Sequence, residues 1–159
     1  MSTQTNKIEV IAEPGSTAVT MIRTFDHPRE KVFRAMTETE LVAKWWGRGN
    51  PLKVIEHEPR RGGRWSFVEQ TEDGDFGFSG VYHDVVENER IIQTFEFAGA
   101  PHEAMIENLR LEDTADGGTR ITVAAAHPSA EVVAQMLESG MTEGAEQSYQ
   151  ALDAVLNAL

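Results

Sequence analysis

Five histidines are the side chains best suited to acid–base chemistry, since the pKa of an imidazole lies near neutrality. They stand at positions 27, 57, 83, 102 and 127. The pair His102-Glu103 begins like the helical His-Glu-x-x-His motif that binds zinc, but Ile106 occupies the position of the second histidine. The segment also follows a Gly-Ala-Pro turn and is typical of a strand. The sequence therefore predicts no metal site.

Two of these histidines lie within predicted strands. His57 stands between Glu56 and Glu58, which indicates a charged, exposed strand end. His83 lies in a strand where it either faces solvent or points into a pocket, and both alternatives stay open. No segment resembles the sharp strand–turn–helix in which a nucleophilic serine is presented.

Carboxylates and glycine-rich segments offer other routes to chemistry. The carboxylates cluster at residues 72–75, 87–89 and 112–116, where exposed hairpin ends explain them better than acid–base catalysis does. The glycine-rich segments 47–49 and 61–64 lack the spacing of a loop that binds phosphate or a dinucleotide. We therefore predict no catalytic residue and no cofactor.

Aromatic side chains are more informative, because ligand sites are mostly apolar clefts with a few polar groups. The adjacent Trp45 and Trp46 point about 100° apart on a helix, so one must face a second surface. We expect this to be Trp46, at a pocket mouth, with Tyr82, His83 and Tyr149 as polar contacts to a ligand. The predicted pocket residues are Trp46, Trp65, Phe67, Phe78, Tyr82, His83, Phe95, Met136, Met141 and Tyr149. The alternative is that the same aromatic residues fill a plain core.

The composition excludes several classes of protein. The 159 residues carry 14 Lys and Arg against 26 Asp and Glu, a formal net charge of −12, and include no cysteine. The charge disfavours binding to nucleic acid or to an anionic membrane surface. The missing cysteine excludes disulfides, thiol nucleophiles and Cys-ligated metals. Because no secretion signal or membrane-spanning apolar run is visible, we expect a cytoplasmic protein of one domain.

The charge is unevenly distributed along the chain. Residues 23–64 hold 10 Lys and Arg against 6 Asp and Glu, whereas residues 65–120 hold 3 against 13. The segment around the two adjacent tryptophans is therefore mildly basic. The expected partner is a small apolar or amphiphilic molecule, and this pattern favours an acid-bearing amphiphile that enters near the basic segment.

The elements that would position these side chains follow from hydrophobic periodicity. Residues 16–26 alternate like a strand, and two short helices are expected after Pro28. Six further strands are predicted at 52–58, 64–71, 76–86, 90–97, 103–113 and 119–127. The short turns between them favour antiparallel hairpins over parallel crossovers. Residues 1–7 are expected to form a loose tail.

The last predicted element is a long helix that begins after a capping serine, Ser129, and continues to the end of the chain. On its apolar face, Gly140 and Gly144 mark either a kink or a close approach to the sheet. A single helix about 10 Å in diameter cannot fill the concavity of a curved sheet. The sequence therefore predicts an α+β fold, with six or seven antiparallel strands wrapped around this helix and a pocket between them.

Short motifs spread over residues 16–158 give the chain a resemblance to a known superfamily. They are Asp26-x-Pro28-x-x-x-Val32-Phe33, Leu41-x-x-x-Trp45-Trp46-Gly47, Gly62-Gly63-Arg64-Trp65, Gly80-Val81-Tyr82, Arg90-Ile91 with Thr94-Phe95, Gly118-Thr119-Arg120-Ile121-Thr122, Gly140-Met141-x-x-Gly144 and Leu152-x-x-Val155-Leu156. In their order and spacing the chain resembles the SRPBCC superfamily of START-like, helix-grip proteins. Within it, the chain is similar to the branch of the activator of the heat-shock-protein-90 ATPase. The resemblance implies a cavity between sheet and helix for an apolar or aromatic ligand.

Three functions follow from this resemblance and the residues together. The leading expectation is binding of a small hydrophobic or aromatic ligand, which a cavity of several hundred Å³ lined by aromatic residues would favour. The second is an enzyme of the aromatase or polyketide-cyclase type, which needs a titratable residue directed into that cavity. The third is a chaperone-binding module, favoured by a filled core with an exposed apolar patch. Eukaryotic chaperone activators use a further N-terminal domain, so the third is the least favoured.

Overall fold

The computed structural model describes residues 6–159, so most of the expected tail at 1–7 lies outside the described residues. Its elements are β1 (Glu9–Ile11), β2 (Ala18–Phe25), α1 (Arg29–Thr37), α2 (Thr39–Trp45), β3 (Leu52–His57), β4 (Arg64–Thr71), β5 (Gly74–Val86), β6 (Arg90–Phe97), β7 (Met105–Asp113), β8 (Thr119–Ala126), α3 (Ala130–Glu138) and α4 (Met141–Ala158). The strands form one antiparallel sheet in the order β1-β2-β8-β7-β6-β5-β4-β3. The predicted α+β helix-grip fold is confirmed, with eight strands in the described residues where six or seven were expected.

The additional strand is β1, which pairs with β2 at the edge of the sheet. Its apolar segment is short and is followed by a Pro-Gly turn, so alternation could not identify it as a strand. β2 pairs with β8 along its whole length, from Ala18 opposite Ala126 to Phe25 opposite Thr119. Because β3 lies at the opposite edge, α1 and α2 have to cross one end of the sheet between β2 and β3.

Helices α1 and α2 are held together by Trp45, at the end of α2. Its indole Nε1 donates a 2.8 Å hydrogen bond to the carbonyl oxygen of Ala35 on α1, and both residues are buried. A buried indole N–H requires such a partner. Trp45 thus fixes α2, and the next residue, Trp46, enters the space above the sheet.

The predicted C-terminal helix is wrong in one respect, because it consists of two helices rather than one. Ser129 caps the first as expected, and its hydroxyl accepts a hydrogen bond of 3.2 Å from the backbone N–H of Val132. The break falls at Gly140, whose φ of 91° lies in the left-handed region that favours glycine. Gly140 therefore ends α3 and starts α4 in a new direction, whereas Gly144 lies inside α4.

Helix α4 is anchored to the sheet at one end of the space that it covers. Leu152 and Leu156 are fully buried in the core. Arg23 on β2, also fully buried, donates to Glu146 at 3.1 Å and to Asp153 at 2.7 Å, two carboxylates about two turns apart on α4. These contacts fix α4 over β2, and the neighbouring part of the concave sheet is left open.

Candidate functional site

A cavity of about 540 Å³ lies between the concave face of the sheet and helices α2, α3 and α4. Strands contribute alternate residues to it, because successive side chains on a strand point to opposite faces. On α4 the lining positions are Met141, Gly144, Ala145, Ser148 and Tyr149, which share one face at helical spacing. The small residues among them leave the space open. The cavity is therefore a consequence of the residue types on α4 as well as of the sheet's curvature.

The structure places nine of the ten predicted pocket residues around this cavity. They are Trp46, Trp65, Phe67, Phe78, Tyr82, Phe95, Met136, Met141 and Tyr149. The lining also includes Phe76 and Phe97 at the far ends of β5 and β6. Contact of any of these residues with a ligand stays a prediction.

His83 is the exception, since its side chain is exposed and does not line the cavity. The preceding residue, Tyr82, is buried and points inward. The register of β5 against β6 shifts between Tyr82 and Asp84, so His83 is the extra residue of a bulge, where its side chain is exposed. It is therefore removed from the set of candidate polar contacts.

Trp46 lies at the centre of the aromatic side chains. The centroid of its ring is 5.1 Å from that of Phe78, 5.2 Å from Phe67, 5.9 Å from Trp65 and 6.0 Å from Phe95. Its carbonyl oxygen accepts a 3.1 Å hydrogen bond from the hydroxyl of Ser148 on α4. Trp46 therefore joins α2, the sheet and α4 around the cavity.

His57 also lines the cavity, which corrects the expectation of an exposed strand end. The register of β3 against β4 shifts between Val54 and Glu56. The extra residue of this bulge reverses the alternation, so that Glu56 faces solvent and His57 faces inward. The Nδ1 atom lies 2.7 Å from the hydroxyl of Thr39, while the buried Nε2 atom has no hydrogen-bond partner among the described residues. Burial lowers the pKa of His57.

A carboxyl group that sequence analysis missed, that of Glu107 on β7, also faces the cavity. Gln93 stands directly opposite on β6 and donates a 3.2 Å hydrogen bond from its amide nitrogen to the Glu107 carboxyl. Burial raises the pKa of Glu107 above its ordinary value. Burial also raises the pKa of Tyr149, and the charge of Glu107 acts in the same direction. The alternation of β7 could have identified Glu107, because Met105 and Leu109 on either side are apolar.

The charged residues at the edge of the cavity neutralise one another. Arg48, just after α2, donates to both carboxyl oxygens of Glu69, at 2.9 and 3.1 Å. Asn50 donates a third hydrogen bond to the same carboxyl, at 2.8 Å. Arg48 also lies beside Gly144 on α4, where an added side-chain carbon would be in ordinary van der Waals contact with the guanidinium, at 3.7 Å.

Residues 6–159 hold no group of three or more His, Asp or Glu placed to coordinate an ion. Within the same residues, none of the helices combines the length and the apolar character that a membrane crossing requires. The cavity is lined by aromatic rings, by the carboxyls of Glu69 and Glu107, by the imidazole of His57 and by the phenols of Tyr82 and Tyr149.

Comparison with known proteins agrees with this fold. The model of the family described as "Activator of Hsp90 ATPase homolog 1-like protein" matches residues 26–157. No curated protein matches the sequence significantly.

Several solved structures share the fold over nearly the whole chain. A protein from Rhodobacter sphaeroides is 26% identical with a TM-score of 0.84, and the match covers 96% of this chain and 99% of that one. One from Mycobacterium smegmatis is 25% identical with a TM-score of 0.81, covering 94% and 97%. A third, from Arthrobacter aurescens, is 23% identical with a TM-score of 0.84, covering 95% and 92%.

Proposed function

We propose that this chain, which belongs to the family of activator of Hsp90 ATPase homolog 1-like proteins, binds a small hydrophobic or aromatic molecule. The helix-grip fold is that of the SRPBCC superfamily, whose members are generally ligand-binding or chaperone-associated domains. The observation that carries the proposal is the cavity of about 540 Å³ between the sheet and α4. Its volume lies within the range of roughly 300–1,000 Å³ that is usual for small-molecule sites.

Apolar burial would drive such binding. Removal of apolar surface from water stabilises a complex by about 25 cal/mol per Å². The rings around Trp46 present flat faces and edges at centroid distances of 5.1–6.0 Å, and aromatic ligands add further stabilisation in such geometries. A small planar molecule is therefore a better fit to this lining than a flexible acyl chain.

The experiment that tests the proposal uses N-phenyl-1-naphthylamine, whose fluorescence rises in apolar surroundings. We expect a saturable rise with the wild-type protein. The variant Ala145→Leu adds volume on the cavity face of α4 and should weaken binding by about tenfold, because overpacking costs about 1–3 kcal/mol. Gln147→Leu, on the exposed side of the same helix, should bind like the wild type.

Two results would overturn the proposal. The first is the lack of any saturable signal together with no small molecule detected by native mass spectrometry of protein purified from its source. The second is equal binding by wild type and Ala145→Leu, since the probe would then occupy another surface.

A cytoplasmic location, as the sequence predicts, is part of the proposal.

A second candidate, an aromatase- or cyclase-type enzyme, is favoured by one specific observation. Glu107 and His57 both face the cavity, so two titratable groups could exchange protons with a bound substrate. Incubation with a linear poly-β-ketone, followed by absorbance of the aromatic product, tests this candidate. Glu107→Gln should lower the rate by about 10²–10⁴-fold if Glu107 is the acid or base. No product above background, or an unchanged rate in this variant, counts against it.

A further inference from the structure

A row of polar side chains crosses the concave face of the sheet beneath the cavity. Its members are Glu107 on β7, Gln93 on β6, Tyr82 on β5 and His57 on β3. Gln93 stands opposite both Glu107 and Tyr82 in the strand register. The ring centroids of Tyr82 and His57 are 6.2 Å apart. We call these four residues the polar row.

The protein itself leaves much of the hydrogen-bonding capacity of the polar row unused. The Nε2 atom of His57 has no partner among residues 6–159. Glu107 accepts a hydrogen bond from Gln93 through one of its two oxygens, and the Tyr82 side chain is buried beside Gln93. A ligand in the cavity that bonds to the Nε2 atom of His57 would remove the cost of leaving this buried polar atom without a partner.

The charge around the cavity limits the ligand further. Of the described residues that line it, Arg48 is the only Lys or Arg, and it already pairs with Glu69 through two hydrogen bonds. Within residues 6–159, the side-chain hydrogen-bond partner of Glu107 is the neutral amide of Gln93. A carboxylate on the ligand would therefore lose its hydration without gaining a counter-ion, which is strongly unfavourable in an apolar cavity.

The protonation states of the polar row are consistent with an uncharged partner. Burial raises the pKa of Glu107 and lowers that of His57, so burial favours the neutral form of both groups. A neutral carboxyl donates one hydrogen bond, and a neutral imidazole offers one donor and one acceptor. Oxygen atoms of hydroxyl or carbonyl groups can satisfy both.

We propose that the natural ligand is an uncharged aromatic molecule with hydroxyl or carbonyl oxygens along one edge, which bond to Glu107, Tyr82 and His57. Its apolar faces lie against the rings around Trp46. The inference rests on the proposed ligand-binding function and names the chemical class of the ligand. It replaces the acid-bearing amphiphile expected from the uneven charge of the sequence, because the basic residue that reaches the cavity is already neutralised by Glu69.

Four naphthalenes of the same ring size test this inference by displacing N-phenyl-1-naphthylamine from the protein. They are naphthalene, 2-naphthol, 2-naphthoate and 1-naphthylmethylammonium. We expect 2-naphthol to bind about fivefold more tightly than naphthalene, the value of one net hydrogen bond. We expect 2-naphthoate to bind at least about tenfold more weakly than 2-naphthol, since the one basic residue in the described lining is already paired with Glu69. We expect 1-naphthylmethylammonium to bind more weakly as well, because Glu107 would have to leave the neutral form that burial favours in order to pair with it. Equal or tighter binding of either charged compound overturns the inference.

Variants of Glu107 test whether the preference for 2-naphthol over naphthalene depends on the polar row. Glu107→Leu should abolish the advantage of 2-naphthol over naphthalene, whereas Glu107→Gln, which keeps a hydrogen-bonding group, should retain part of it. Glu112→Gln, on the exposed face of the same strand, should leave the preference unchanged.

Binding of N-phenyl-1-naphthylamine by each variant shows that its cavity is formed. If that probe binds but 2-naphthol has no advantage in the wild type, the inference fails and the proposed function stands. If no compound binds, both fail.

Discussion

The amide of Gln93 on β6 and the carboxyl of Glu107 on β7 face each other across the sheet, joined by a hydrogen bond of 3.2 Å. This bond does not offset the cost of ionising Glu107 in the cavity, because burial raises its pKa. Tyr149 on α4 also faces this group, and Arg23 and Glu146 lie close enough to Tyr149 to act on its charge. The pair therefore makes the stability of the protein depend on pH.

We predict that Glu107→Gln raises the free energy of unfolding relative to the wild type at pH 8. In the wild type, the folded pKa of Glu107 lies above the ordinary value of 4.5. Its contribution to stability is therefore fully present below that value and is lost as the pH rises through the folded pKa. Glutamine has no such loss. Urea unfolding from pH 4 to pH 8 measures the difference in the free energy of unfolding between the variant and the wild type. This difference should be close to zero at pH 4.

Glu112→Gln is the matched control, because its carboxyl is on the exposed face of β7. A difference between Glu107→Gln and the wild type that stays constant from pH 4 to pH 8 would contradict the prediction. It would mean that packing, and not ionisation, accounts for the effect of the substitution.

Hydrophobic alternation and the short turns between strands were sufficient to predict the antiparallel sheet, and aromatic residue types indicated most of the cavity wall. Trp65 and Phe67 are two residues apart on β4, so they had to share a face. Tyr82 follows the same rule from Phe78 on β5, whereas His83 lies where the register of β5 shifts and is exposed. The sequence left the orientation of His83 open, and Glu107 was missed because carboxylates were assigned to hairpin ends.

Two features required the structure, because each depends on a local change of backbone geometry. The bulge in β3 moves His57 to the inner face, and no glycine or proline within the strand marks it. The turn at Gly140 divides the predicted C-terminal helix in two. Gly140 and Gly144 occupy equivalent positions in the helical pattern of the sequence. The backbone φ angle distinguishes the break at Gly140 from the helical position at Gly144, and the sequence does not give this angle.

Alanine at these two glycines should therefore have opposite effects. Gly140→Ala should lower the free energy of unfolding by about 1–2 kcal/mol, because its φ of 91° is left-handed. Gly144→Ala should raise it by about 0.5–1 kcal/mol, the usual preference for alanine within a helix. The nearest atom to the new side-chain carbon, Nη1 of Arg48, is 3.7 Å away. Equilibrium unfolding in urea measures both, and effects of the same sign would contradict the assignment of the break.

The buried guanidinium of Arg23 should be among the most sensitive positions in the fold. Arg23→Leu leaves Glu146 and Asp153 without their shared cation, and loss of one partner of a buried pair costs about 3–5 kcal/mol. Arg120→Leu is the control, since its pair with Glu112 is half-exposed and 3.8 Å long and should contribute about 0–1 kcal/mol. Thermal and urea unfolding of both variants checks this. Equal losses would show that Arg23 does not anchor α4.

Because burial disfavours protonation of the His57 imidazole, the protein should be less stable in mild acid. Burial among Phe67, Tyr82 and Thr39 lowers the folded pKa of His57 from 6.5. The stability that follows is present above pH 6.5 and is lost as the pH falls below it through the folded pKa, since the unfolded chain takes up the proton first. His57→Gln should therefore lose less stability than the wild type between pH 7.5 and pH 5.

His127 has to be tested beside it, because burial lowers the pKa of that histidine as well. The double variant His57→Gln with His127→Gln should show a smaller dependence on pH than either single variant. His102→Gln, at an exposed position, is the matched control and should follow the wild type. If His57→Gln loses stability in parallel with the wild type across this range, the imidazole is not kept neutral by the cavity. Its Nε2 atom would then be a poorer partner for an uncharged ligand.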